Sequence, residues 1–408
     1  MKLPITALTL FFVSLISFSQ NLPSLLKGKN INSTFSILAY DEHTQEWGIA
    51  VATNNIYVGN STIYIEPGLG AFSVIAETEP SYAQAGFEKL REGKSIMDAI
   101  QYTKNKDDQA NYRQVSGIDK DGNVYAFTGK SLKYWNGNAS QILGKNYVVM
   151  GNQLEDSVLT SMSRSFETAN GTLAQRLMES LVSGQRSGGQ ISGKQSAALV
   201  VKGTNNDWFN QIDLRVDHSS SPVDDLKKLM DFHYGRIRLN QALYAHREGN
   251  QSRALKKLSE SEKMLDGWTG MYSRIASANI LLDNKENAVK WVKKGISENP
   301  NWSVYLPAFY FLKDSPEMKG LINPSRFTTK DWEAALNMLS NLGRELEVIE
   351  LTHRLKSDKI ESSYLNFLLG RSCFYEKDNE KAIKFLELAL QMDKENIEAE
   401  MLLNKINS

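Results

Sequence analysis

Ser33-Thr34-Phe35-Ser36-Ile37-Leu38-Ala39-Tyr40 and Trp47-Gly48-Ile49-Ala50-Val51-Ala52-Thr53-Asn54 are two largely apolar runs of strand length. The segment between them, Asp41-Glu42-His43-Thr44-Gln45-Glu46, is polar throughout and reads as a hairpin connection. Thr34 is β-branched and suits the first position of a strand on backbone grounds alone. Outward from this hairpin the same kind of pattern continues. Strand-like runs fall at Ala71 to Ala76, Val115 to Ile118, Val124 to Phe127, Tyr147 to Met150, Ser196 to Val201 and Ile212 to Val216. Helix-like runs fall at Ser81 to Glu92, Ser95 to Thr103, Glu155 to Thr168 and Thr172 to Ser183, the second opening on a Ser cap and the last on a Thr cap. Strands arrive in pairs with helices between the pairs. That order predicts an α+β fold in which helices cover sheets, not a regular βαβ array.

The chain has 408 residues, too many for one ordinary core, so two or three domains are expected. Lys plus Arg and Asp plus Glu each number 47, which leaves no basic excess to suggest nucleic acid or an anionic membrane as partner. The hydrophobic fraction of 41% is that of a globular chain and argues against a disordered one. The one cysteine, Cys373, excludes an intramolecular disulfide and any cysteine-based metal cluster.

Residues 1–20 carry Lys2, an apolar run from Ile5 to Phe18 and small residues around Ser17-Phe18-Ser19, the pattern of a secretory signal. No later segment approaches membrane-spanning length, so the expectation is an exported protein, periplasmic or extracellular, with no membrane span after signal removal. Residues 21–32, with Pro23, Gly28 and two lysines, have linker or propeptide composition.

Thr34-Phe35-Ser36-Ile37, Gly48-Ile49-Ala50-Val51-Ala52, Tyr147-Val148-Val149-Met150-Gly151-Asn152-Gln153-Leu154, Gly193-Lys194-Gln195-Ser196-Ala197-Ala198-Leu199 and Asp213-Leu214-Arg215-Val216-Asp217 occur in this order. Together they resemble the successive motifs of the bacterial family called domain of unknown function 1028, over about residues 33–230. That family is grouped with the N-terminal-nucleophile (Ntn) hydrolases. The resemblance implies a four-layer αββα sandwich over 33–222. It also implies an amidohydrolase in which Thr34 is the nucleophile and its own α-amine the base. The pairing makes chemical sense, because a threonine hydroxyl is a poor nucleophile until a base takes its proton, and a terminal amine has a pKa of about 8. Many members begin Met-Thr-Phe-Ser-Ile. Here a signal and linker precede Thr34, so freeing the amine requires a second cut after signal removal. Carried over motif by motif, Asn54 and Asn152 are the candidate donors to a developing oxyanion. Gln195 and Ser196 are the candidate substrate-orienting residues. The Asn54-Asn55 and Gly151-Asn152 dipeptides are also good turn formers on backbone grounds.

Other signals weaken on reading. Asp119-Lys120-Asp121-Gly122-Asn123 starts like a calcium loop, but Val124 and Lys130 stand where such a loop needs Gly and Glu; it reads as a hairpin turn. The Gly-rich run 183–194 follows a helix and lacks phosphate-loop spacing, which leaves a mobile loop beside the pocket as its expected role. The five histidines, His43, His218, His233, His246 and His353, show no ligand spacing, and no Gly-x-Ser-x-Gly occurs. No metal or other cofactor is expected.

Beyond Ser219-Ser220-Ser221-Pro222 the pattern turns to continuous helix. Ala254, Ala288, Val348 and Ala382 mark a recurring compact position, and within each of the pairs 254/288 and 348/382 the spacing is 34 residues, the tetratricopeptide period. Leu369-Gly370 with Ala382, Leu386 and Ala389, together with Pro300 and Trp332, resembles that family's helix-pair pattern. Residues 223–408 are therefore expected to form four such repeats, interrupted by an irregular insert at about 303–327. Repeats of this kind stack because one pair cannot bury its own face, and their concave surface takes protein or peptide. Two functional readings result: an exported amidohydrolase acting on a small amide or peptide, with repeats that engage a protein partner, or a non-catalytic sandwich whose function is protein interaction through the repeats.

Overall fold

A computed structural model describes residues 33–206 and 211–408. The segments read as signal (1–20) and linker (21–32) lie outside the described residues. The chain divides into two compact units, residues up to Met230 and Asp231–Ser408.

The first unit contains, in order, β1 (Thr34–Asp41), β2 (Glu46–Thr53), the short helix α1 (Val58–Ser61), β3 (Ile63–Glu66), β4 (Gly70–Ala76), α2 (Ser81–Arg91), α3 (Ile96–Lys104), β5 (Arg113–Asp119), β6 (Val124–Thr128), β7 (Asn138–Gly144), β8 (Tyr147–Leu154), α4 (Val158–Thr168), α5 (Leu173–Arg186), β9 (Ser196–Gly203) and β10 (Ile212–Val216). The strands form two antiparallel sheets, ordered β10-β9-β2-β1-β8-β7 and β3-β4-β5-β6. Helices α4 and α5 pack on the larger sheet and α2 and α3 on the smaller, while β1 and β8 face β4 and β5 across the interior. The result is the αββα sandwich.

Strand alternation explains the layers. Leu38, Trp47, Ile49, Ala71 and Ile118 fill one end of the space between the sheets, and Val51, Val58, Ile75, Met150 and Ala198 the other. Phe35 turns the opposite way, to α5, where a Cβ on Gly184 would lie 3.1 Å from its ring. Full burial of side chains such as Phe35, Ile37, Trp47 and Phe72 stabilises the unit by about 1.5–3 kcal/mol each. Gly48 lets α5 approach β2 closely, since a Cβ there would stand 2.4 Å from Leu177 Cδ1. The Ser95 cap accepts from the Asp98 amide, and Thr172 forms a capping box with Gln175, as the sequence predicts.

Two strands escape the sequence reading. β3 is only four half-buried residues, and β7, an edge strand, carries Asn138, Ser140 and Gln141, so neither shows a clean apolar period. The Asp119–Asn123 segment is the expected hairpin turn. Ile118 pairs with Val124, Gly122 takes φ +81°, and Asp119 Oδ1 accepts from the amides of Asp121 (3.0 Å) and Asn123 (2.9 Å).

The second unit is helical and begins within α6 (Pro222–Arg247). It continues with α7 (Gln251–Leu265), α8 (Tyr272–Leu281), α9 (Lys285–Glu298), α10 (Thr329–Asn341), α11 (Glu345–Ser357), α12 (Ser363–Tyr375), α13 (Asn379–Met392) and α14 (Ile397–Asn407). Ala254, Ala288, Val348 and Ala382 are all fully buried on the second helix of their pairs. The insert contains no α-helix: three 3-10 segments, Pro300–Leu312, Pro316–Met318 and Pro324–Arg326, each begin on a proline. Cys373 is buried on α12, and burial pushes its thiol pKa up, so it behaves as a packing group.

Candidate functional site

The register of the larger sheet aligns Ser196 (β9), Thr53 (β2), Thr34 (β1) and Asn152 (β8) in one row across four strands. Residues directly opposite in antiparallel pairs share a face, and Ser36, two residues along β1, contacts Ser73 of the other sheet at 3.3 Å. The row therefore faces the space between the sheets. Its members are each 5% exposed or less.

At the end of that space lies a cavity of about 170 Å³ whose wall includes Thr34, Thr53, Asn55, Ser61, Thr62, Glu77 and Thr78. Thr34 Oγ1 is 2.9 Å from Thr53 Oγ1, and Thr53 Oγ1 donates to the Ser33 carbonyl at 2.9 Å. Because Thr53 spends its one proton on that carbonyl, the Thr34 hydroxyl must donate to Thr53. The Ser33 carbonyl accepts a second bond from the Asn54 amide at 3.2 Å. Ser33 is fully buried: its amide donates to Asn54 Oδ1 at 2.8 Å, and its hydroxyl receives the Ser192 Oγ proton at 2.7 Å.

Of the five residues singled out in the sequence, only Thr34 lines the cavity. The Asn54 side chain instead joins Ser33 to Ser192, donating to Ser192 Oγ at 3.1 Å. Alternation at the end of β2 explains this: Thr53 and Asn55 turn to the cavity and Asn54 turns away. Asn152 stands opposite Thr34, but its amide nitrogen donates to Gln114 Oε1 at 3.1 Å, and its Oδ1 is buried with no partner among the described residues. Gln195 holds the strand end through its backbone, its amide donating to Thr53 O at 2.8 Å and its carbonyl accepting from Ser219 at 2.9 Å, and its side chain meets the His218 ring. Ser196 Oγ accepts from the Val58 amide at 3.2 Å and donates to the Asn55 carbonyl, so it fixes the loop that carries the cavity wall.

Thr53 was within reach of sequence reasoning. A hairpin turning between Asp41 and Glu46 pairs Thr34 with Thr53 by counting. Glu77 was not, because it enters from the other sheet. It follows Ala76, whose φ of +68° lies in the left-handed region that side chains disfavour. Its amide donates to Tyr112 O at 3.2 Å and its carbonyl accepts from Arg113 Nη1 at 2.9 Å. Arg113 in turn pairs with Asp107 at 2.9 Å, their side chains 12% and 11% exposed. Burial alone would raise the Asp107 pKa. The hydrogen bonds from Arg113, the Gln109 amide and the Tyr82 hydroxyl outweigh it and hold the carboxyl below its usual value.

Among the described residues no group of three or more His, Cys, Asp or Glu is placed to hold a metal ion, and no helix is long and apolar enough to cross a membrane.

The first unit is thus an αββα sandwich with a hydroxyl-lined cavity at the start of a central strand. Residues 34–226 match the model of a family of unknown function, DUF1028, and residues 363–396 match a tetratricopeptide repeat model. Among solved structures, the DUF1028 protein SPO2555 from Silicibacter pomeroyi is similar at 28% identity, with 48% of this chain and 84% of that chain covered and a TM-score of 0.45. The tetratricopeptide domain of P58(IPK) is similar at 14% identity, with 42% and 55% covered and a TM-score of 0.21. No curated protein matches the chain.

Proposed function

We propose that the first unit is an exported amidohydrolase of the Ntn type, in which Thr34 becomes the N-terminal residue and attacks an amide carbonyl. One observation carries this reading: Thr34 opens a central strand and presents its hydroxyl to a cavity, while the carbonyl just before it receives two hydrogen bonds, from Thr53 Oγ1 and the Asn54 amide. Two donors on one buried carbonyl stabilise negative charge on its oxygen. That favours cleavage of the Ser33–Thr34 bond, which exposes the amine.

In the processed chain the amine takes the Thr34 hydroxyl proton as Oγ1 attacks the substrate carbonyl. In this reading Asn55, on the cavity wall, donates to the oxyanion. Collapse of the tetrahedral intermediate breaks the C–N bond, and the ammonium returns the proton to the departing amine. Water, deprotonated by the same amine, then hydrolyses the Thr34 ester. The tetratricopeptide match in the second unit supports a role in engaging a protein partner.

The test pairs Thr34→Ala with Thr34→Ser against a panel of small amides, ureido compounds and short peptides. Thr34→Ala abolishes turnover of any substrate found, and Thr34→Ser retains part of it, since the hydroxyl and amine remain. Full activity in Thr34→Ala places the nucleophile elsewhere.

A further inference from the structure

Ser33 is the acyl half of the bond that must break to free the Thr34 amine, and each of its polar groups is met. Its amide donates to Asn54 Oδ1 at 2.8 Å, and its carbonyl accepts from Thr53 Oγ1 at 2.9 Å and from the Asn54 amide at 3.2 Å. Its hydroxyl receives the Ser192 Oγ proton at 2.7 Å. We infer that this seat is the acyl subsite of the processed protein, and that the substrate is an amide or peptide whose acyl half is a seryl residue. The inference rests on the Thr34 reading for the reaction, and adds the class of substrate.

The seat belongs to parts of the fold that stay when Ser33 and the residues before it are removed. Thr53 ends β2, Asn54 follows it, and Ser192 stands in the loop before β9. The order of protons within it is forced. A backbone N–H only donates, so Ser33 meets the carbonyl end of the Asn54 side-chain amide. The NH2 end is left for Ser192, and donates to its Oγ at 3.1 Å. Ser192, already accepting there, gives its own proton to the Ser33 hydroxyl. The seat therefore offers one acceptor for an N–H, two donors for a carbonyl oxygen and one donor for a hydroxyl on the β-carbon. Those are the polar groups of an N-acylserine, each at hydrogen-bond distance.

The same groups set the carbonyl against the nucleophile. Thr53 Oγ1 touches both the Ser33 carbonyl oxygen and Thr34 Oγ1, each at 2.9 Å. A seryl group that returns to the seat thus brings its carbonyl to the hydroxyl that attacks it. Attack forms the seryl ester of Thr34 and breaks the C–N bond, and the departing amine carries off the hydroxyl proton. Water then cleaves the ester, which yields an acid ending in serine and restores the Thr34 hydroxyl. An alanyl group occupies the same space but leaves the Ser192 proton without its acceptor.

The experiment compares N-acetylserinamide with N-acetylalaninamide, which differ by one hydroxyl. The protein is the chain that begins at Thr34, expressed behind a removable methionine, so that every described strand and helix is kept. Affinity is read by ligand-observed NMR titration, and kcat/KM wherever the amide is hydrolysed. The serine amide is expected to be preferred about three- to tenfold, the size of one neutral hydrogen bond. Ser192→Ala abolishes the preference, and Ser192→Thr, which restores the hydroxyl, retains it. A chain shown by intact mass to hold Ser33 joined to Thr34 has the seat filled by its own serine and shows no preference. Equal or weaker binding of the serine amide, no binding of it at millimolar concentration, a preference that survives Ser192→Ala, or the same preference in the uncut chain overturns the assignment. A seryl preference in binding without turnover upholds the seat and removes the Thr34 reaction. Turnover of both amides with equal kcat/KM upholds Thr34 and removes the seat.

Discussion

Thr53→Val is the substitution that most cleanly separates the hydroxyl chemistry at Thr34 from the packing around it. Valine keeps the shape of threonine and deletes one buried oxygen. That oxygen takes part in three contacts: Thr34 Oγ1 at 2.9 Å, the Ser33 carbonyl at 2.9 Å and the Asn55 amide at 3.4 Å. The third is long and belongs to an exposed residue. Of the other two partners, the Ser33 carbonyl keeps the Asn54 amide at 3.2 Å, and Thr34 lines the cavity, where water can reach it. Neither is fully orphaned, so the cost is that of two ordinary hydrogen bonds partly replaced, about 1–2 kcal/mol. A change of that size multiplies the population of the open state by about 5–30. Hydrogen-exchange mass spectrometry on peptides covering residues 34–53 reads it directly, as faster exchange by that factor where opening is in pre-equilibrium. Thr53→Ser restores the hydroxyl and most of the protection. Unchanged exchange in Thr53→Val, or an equal loss in Thr53→Ser, refutes the hydroxyl relay.

Three further outcomes follow from the partly buried charges. Arg113→Met leaves Asp107 without its ion partner beside a lost tie to the Glu77 carbonyl, and is expected to destabilise the first unit by about 3–5 kcal/mol in urea unfolding; adding Asp107→Asn recovers much of it. The depressed Asp107 pKa sets a direction with pH. Its stabilisation is complete above the unfolded carboxylate pKa of about 4 and is lost as pH falls through the lower folded value, so acid titration unfolds the wild type more steeply than Asp107→Asn below about pH 4. In the second unit, Glu262 Oε1 accepts from Asn279 Nδ2 (2.7 Å), Trp291 Nε1 (2.9 Å) and Asn287 Nδ2. Glu262→Ala takes one acceptor from each donor, while Asn279 Nδ2 keeps the Ile275 carbonyl and Asn287 Nδ2 keeps Asn279 Oδ1, and is expected to cost about 1–3 kcal/mol, seen as a lower Tm of the helical signal; an unchanged Tm contradicts it.

The frame of the molecule was legible because it rests on local patterns. Alternation gave β1 and β2, Ser95 and Thr172 marked helix starts, and the 34-residue spacing of compact positions marked the helix pairs. β3 and β7 were hidden because short or edge strands need no apolar period. The site was legible only where it follows from one strand. Thr34 was visible, and Thr53 was implicit in the hairpin register. The sequence points to Asn54, whereas the pleat turns its neighbour Asn55 to the cavity. Glu77 depends on how two sheets pack and on a left-handed Ala76, neither of which has a local signature.

The most direct test of the catalytic account is the intact mass and N-terminal sequence of the protein recovered from its native host. The account predicts a chain beginning at Thr34, with Ser33 and everything before it removed. A chain that still carries Ser33 joined to Thr34 contradicts it, since the nitrogen meant to act as base is then an amide.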